Sequence, residues 1–106
     1  MTDSALQLAL FEVEAELETL VDPERAIGMA AYMKDQFVYL GVLAKPRRAI
    51  SRSALNLAKR AHAAELLDAA HWCWAQEPRE LQYVGIDLVR AGAKNLQPEH
   101  LSLIHI

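Results

Sequence analysis

The sequence contains a single cysteine, Cys73, so no disulfide can form within one chain. A reducing, cytoplasmic setting is the simplest reading of that count. No apolar run approaches the ~20 residues needed to span a bilayer, so no membrane role is expected. The opening stretch MTDSALQLALFEVEAELETL lacks the basic start and small-residue cleavage site of a secretory signal. Glycine is scarce, and neither a Gly-rich phosphate loop nor a Ser/His/Asp set is recognisable. His62, His71 and Cys73 match no metal-ligand spacing, so no metal site is expected. No stretch alternates apolar and polar residues as a half-buried strand would.

One further absence is more informative. Between residues 36 and 64 there is no carboxylate at all, while six bases fall there: Lys45, Arg47, Arg48, Arg52, Lys59 and Arg60. The flanks are acidic, with eight acids against two bases in residues 1–35 and six against three in residues 65–106. The net charge of −3 therefore conceals a basic window of the kind that meets a polyanion.

What is present is helical. Ala and Leu account for 34 of the 106 residues, which suits one small all-α domain. Leu6, Leu10, Val13, Leu17 and Leu20 fall at 4-3-4-3 spacing and predict a helix over 4–20 with one apolar stripe. Asp22-Pro23-Glu24 is a strong helix start, with an Asp cap, Pro in the first turn and an acid at the positive end. That second helix is expected to run to about Asp35, with Ala26, Met29, Ala30 and Met33 inward. Pro46 opens a third helix, to about Arg60, with Ile50, Ala54, Leu57 and Ala61 buried. Arg48, Arg52 and Lys59 lie within about 40° of one another on its opposite side, at roughly 100° per residue. Leu55 falls on that basic side with no evident reason. Helices over 63–75 and from Pro78 to about 91 complete five, joined by short links that favour antiparallel neighbours. Phe37, Tyr39, Trp72 and Trp74 read as core or packing aromatics.

Two segments resemble a known family. DPERAIGMAAYMKDQFVYLGV, followed by KPRR, is similar to the start of the DNA alkylation repair enzymes, the HEAT-like-repeat alkylpurine DNA glycosylases. WCWAQEPRELQYVGIDLV at 72–89 resembles a later segment of that family, with Trp74, Arg79, Glu80, Gln82 and Asp87 at its spacing. The third-helix start departs locally, because Ala44-Lys45-Pro46 offers no Ser, Thr or Asp cap.

The resemblance implies an all-α, right-handed stack of HEAT-like antiparallel helical hairpins, with residues 1–100 as its N-terminal part. It implies hydrolysis of the N-glycosidic bond of cationic alkylated purines, of 3-methyladenine or 7-methylguanine type, without metal or organic cofactor. Double-stranded DNA carrying such lesions is the implied partner. Tyr32 matches the tyrosine that the family places at the lesion cleft. Lys45, Arg47, Arg48 and Arg52 are candidate phosphate contacts. No catalytic residue is assigned, because the family's Trp-Trp-Asp-x-Val-Asp signature does not occur in the 106 residues. The chain by itself is accordingly expected to be inactive, and to self-associate through an exposed C-terminal apolar face. The final LSLIHI, residues 101–106, reads without a gap as a translation of CTGTCTCTTATACACATC, a transposon end used in library building, and is expected to be a non-native tail. The alternative from another class is a non-enzymatic helical-repeat scaffold that binds protein or DNA.

Overall fold

The computed structural model describes residues 4–97, and the expected tail at 101–106 lies outside them. Among the described residues there are five helices: α1 (Ala5–Thr19), α2 (Pro23–Tyr32), α3 (Ala44–Ala58), α4 (Ala63–Ala75) and α5 (Arg79–Ala91). A 3-10 turn follows at Ala93–Asn95. The β pairing among them is one isolated bridge, Val38 beside Pro78. The all-α expectation holds.

Helix α1 forms as its pattern predicts. The Ser4 hydroxyl caps it by accepting from the Gln7 N–H at 3.0 Å. Leu6, Leu10, Val13 and Leu17 are buried, against α3 and α4. Leu20, the last member of the stripe, sits at the C-cap and is exposed. Helices α4 and α5 form an antiparallel hairpin in which Leu66, Ala69, Ala70 and Cys73 meet Leu81, Val84 and Leu88. Gly85 permits this close approach, since a Cβ there would lie 2.9 Å from the Cys73 Cβ.

Helix α3 lies between α1 and α5 and buries small residues, Ser51, Ala54 and Ala58. Small side chains let helices approach closely. The buried Ser51 hydroxyl donates to the Arg47 carbonyl of its own helix at 2.9 Å, so its burial is compensated. Of the expected inner stripe, Ala54 and Ala61 are buried, while Ile50 and Leu57 pack half-buried at the margin. Having two neighbours widens the buried arc, which also accounts for Leu55, half-buried against the core. The helix begins at Ala44, two residues before the expected Pro46, which sits in the first turn where no N–H is required. Its cap residue, Leu43, makes no side-chain bond, a lack that costs roughly 1 kcal/mol relative to a good cap.

Helix α2 differs from the rest. It starts as expected, with Asp22 Oδ1 accepting from the Arg25 N–H at 3.0 Å. It stops at Tyr32, three residues short of the expected Asp35. Lys34 and Asp35 both turn left-handed, at φ 57°. The Asp35 N–H then reaches back to the Ala30 carbonyl at 2.7 Å, and the Lys34 N–H to Ala31 at 3.0 Å. These bonds satisfy the last carbonyls of the helix in a Schellman-type reversal. No glycine marks this stop, so the helical pattern concealed it. No residue of α2 is fully buried. Its expected inner face of Ala26, Met29, Ala30 and Met33 is only half-buried.

Candidate functional site

The segment leading from α2 to α3 is held from two sides. On the α2 side, Gly41 sits at φ 90°, where a Cβ would run into the Asp22 carbonyl. The Asp22 N–H donates to the Leu40 carbonyl at 2.9 Å, and Arg25 Nη1 to the Gly41 carbonyl at 3.2 Å. On the α5 side stands Glu80, whose exposure is 1%. Its Oε1 accepts from the Leu40 N–H at 3.0 Å, and its Oε2 from the N–H groups of Gly41 at 3.0 Å and Val42 at 3.2 Å. Three backbone donors thus compensate a buried carboxylate that would otherwise be costly.

Arg79 completes the clamp. Its N–H donates to the Val38 carbonyl at 2.7 Å. Its guanidinium lies over the Phe37 ring at 3.9 Å, with the Tyr83 ring at 5.2 Å and the Trp74 ring at 5.3 Å. Arg79 Nη1 donates to Gln82 Oε1 at 2.7 Å, and Gln82 Nε2 donates to the Gln76 carbonyl at 2.9 Å. The Phe-x-Tyr-Leu-Gly and Pro-Arg-Glu-x-Gln motifs are therefore two halves of one device: cation on ring, carboxylate on backbone.

The clamp shapes an open groove of about 650 Å³ between α2, the 39–43 segment, the start of α3 and α5. Met29, Met33, Tyr32, Tyr39, Val42 and Tyr83 are among the residues that line it. Tyr32, in the last turn of α2, is 87% exposed. The Tyr39 and Tyr83 hydroxyls are 3.5 Å apart. Burial first, then the Tyr83 hydroxyl, pushes the Tyr39 phenol up to about 12. Tyr83 is held below the usual phenol value, chiefly by the hydrogen bond from Tyr39 and further by Arg79 and Arg47. Arg47 lies over the Tyr83 ring at 5.0 Å, with its Nη2 3.8 Å from Asp87 Oδ2.

The predicted site residues separate into two groups. Tyr32 and Arg47 line the groove. Lys45, Arg48 and Arg52 are exposed side chains of α3 that do not line the groove. Phe37 and Tyr39, expected in the core, are instead half-buried parts of the clamp and the groove. Trp72 packs edge-on to Phe11 at 5.4 Å beside the core, and Trp74 lies under Arg79. Cys73 is fully buried, and burial, with the charge of Glu14, raises its thiol to about 12. Sequence reasoning gave no role to Arg79, Glu80 or Tyr83. The Pro-Arg-Glu-x-Gln spacing was a visible signal, but its partners lie some 40 residues away.

Comparison with known proteins reaches the same segments. Residues 13–105 match the family model described as DNA alkylation repair enzyme. A solved structure, a predicted DNA alkylation repair enzyme from Enterococcus faecalis, is similar at 33% identity and a TM-score of 0.73. The match covers 76% of this chain and 38% of that one, so the chain spans well under half of the solved protein. No curated protein matches.

Proposed function

The chain belongs to the DNA alkylation repair enzyme family, and on that premise we propose that its groove and basic helix face hold alkylated double-stranded DNA for N-glycosidic hydrolysis. The observation that carries this is Tyr32: a large ring, 87% exposed, at the rim of an aromatic groove beside the acid-free face of α3.

A purine of 3-methyladenine or 7-methylguanine type is cationic. Tyrosine faces suit it, at about 0.5–2 kcal/mol for each cation–ring contact. Such a base also leaves without being protonated. The C1′–N9 bond breaks, its electron pair neutralises the purine, water oxygen bonds to C1′, and a proton is released. A carboxylate near the developing oxocarbenium would lower that barrier. Glu80 does not serve, because both its oxygens are occupied by backbone N–H groups. In the family resemblance that carboxylate belongs to a Trp-Trp-Asp segment, a sequence these 106 residues lack. Our reading is that this stretch supplies DNA binding within a HEAT-like stack of helical hairpins and does not cleave on its own. Phosphates would meet Arg48 and Arg52, and the repair setting would be cytoplasmic.

The test is fluorescence anisotropy with duplex DNA containing 7-methylguanine. Binding should weaken steeply with salt and on the Arg48→Ala, Arg52→Ala double substitution, with the thermal melt unchanged. A wild-type chain that retains no DNA at low salt refutes the reading and favours the protein-binding scaffold. Release of free 7-methylguanine above a no-protein control refutes the non-cleaving assignment.

A further inference from the structure

A second hollow, of about 330 Å³, opens between α3 and α5. Arg47, Arg48, Tyr83, Ile86, Asp87 and Arg90 line it, which places three guanidiniums beside one carboxylate. The carboxylate is engaged. Asp87 Oδ2 lies 3.8 Å from Arg47 Nη2, and the Arg47 side chain, 11% exposed, is laid down on Tyr83. That leaves two cations in excess. Arg48 and Arg90 are both exposed, and neither guanidinium makes an ion pair or hydrogen bond among the described residues. One comes from α3 and the other from the C-terminal turn of α5.

We propose that Arg48 and Arg90, across the α3–α5 hollow, form an oxyanion subsite that takes a backbone phosphodiester. Assigning the phosphodiester to DNA rests on the function proposed above; the subsite itself rests on the hollow and its charges. Two guanidinium forks on separate helices can address different oxygens of one tetrahedral group, a geometry that flexible point charges do not provide. Asp87 has a defined part. It engages Arg47 in the wall of the hollow and so leaves two unpaired donors there. Arg47 and Tyr83 line both the hollow and the aromatic groove. The two sites are therefore adjacent, as a phosphate is to its base. The basic window of the sequence stops at Arg60, so Arg90, in an acidic stretch, is recruited only by the packing of α5 on α3.

The experiment has two arms. In the first, unmodified duplex DNA is titrated across a salt series with wild type, Arg90→Ala, Asp87→Asn and Lys94→Ala, the last removing equal charge outside the hollow and outside the basic window. Arg90→Ala should weaken low-salt binding about tenfold and reduce the slope of log K against log salt by ~0.9, the value for one phosphate contact. Lys94→Ala should leave the slope unchanged, and Asp87→Asn should tighten binding by freeing Arg47. In the second, inorganic phosphate is titrated while arginine Nε–H NMR signals are followed. Those of Arg48 and Arg90 should move, and the Arg48 shift should disappear in Arg90→Ala. If Arg90→Ala and Lys94→Ala have the same slope, the subsite is overturned and the groove reading stands. If no variant binds duplex but phosphate shifts both arginines, the DNA assignment falls and the oxyanion subsite remains. If phosphate moves neither signal, the subsite is overturned. Circular dichroism melts confirm that each variant is folded.

Discussion

Helix α1 removes Leu6, Leu10, Val13 and Leu17 from water, whereas α2, which begins a few residues later, fully buries none of its ten residues. Both helices carry apolar side chains at helical spacing. In α1 the stripe meets α3 and α4. In α2 the corresponding face lines an open groove, and Ile27 on another face is 71% exposed. A ten-residue helix has little stability of its own. Its position therefore depends on its ends: Asp22, Arg25 and the 40–42 backbone, pinned in turn by Glu80. The core is stabilised by burial and the groove region by a few directed polar contacts. Removing one contact should thus affect the two regions in different ways.

The largest effect belongs to the core. Leu10→Ala should cost about 3–4 kcal/mol by lost burial plus the cavity left behind, read from chemical denaturation. Ile27→Ala in α2 should stay within about 0.5 kcal/mol. Equal costs at the two sites would abolish the contrast.

Next comes Glu80→Ala. It orphans the N–H groups of Leu40, Gly41 and Val42 and should cost about 3 kcal/mol. Glu80→Gln, which keeps one acceptor oxygen, should cost about 1 kcal/mol. Hydrogen exchange discriminates further. Those three amides should lose protection in Glu80→Ala while α1 amides near Leu10 keep theirs. A uniform loss would mean that Glu80 belongs to the core and not to the clamp.

Tyrosine titration gives a smaller and more local signal. Tyr39 ionises at about 12 when folded, above the ordinary value of 10.0. The stability it contributes is therefore present below pH 10 and lost as pH rises towards 12. Tyr83, held below its usual value, has the opposite sign and gains with rising pH. In Tyr83→Phe, the Tyr39 value should move back towards 10, though burial keeps it above, followed by NMR of the ring carbon bearing the hydroxyl. No movement would mean that the two hydroxyls are not coupled.

The smallest expected change in stability is for Tyr32→Ala, within about 0.5 kcal/mol, because the ring is exposed. Its affinity for methylated duplex should nevertheless fall clearly. A large loss of stability with unchanged affinity would move Tyr32 from the groove to the packing.

Much of the helical framework was legible in sequence. The Leu6-Leu10-Val13-Leu17 stripe and the Asp22-Pro23 start are local signals, read within one or two turns. The premature end of α2 was not legible, because Lys34 and Asp35 enter the left-handed region without a glycine to announce it. The exposure of Arg48 and Arg52 followed from periodicity. The half-burial of Arg47 did not, since Tyr83 and Asp87 come from another helix. Glu80 was visible within a motif, but a carboxylate that caps three amides looks the same in sequence as one facing solvent.

The sequence by itself determined that the chain is helical, where most helices start, and that one window, residues 36–64, presents cations without acids. Spacing, caps and charge act over a few residues, so these features need no partner. Tertiary structure alone decided which apolar face became core and which became groove wall. Burial depends on what packs opposite: α1 meets two helices and closes, whereas α2 meets a clamped segment and stays open. The same packing brought Arg90 to the hollow that Arg48 lines and set Glu80 beneath Gly41, joining groups from opposite halves of the chain.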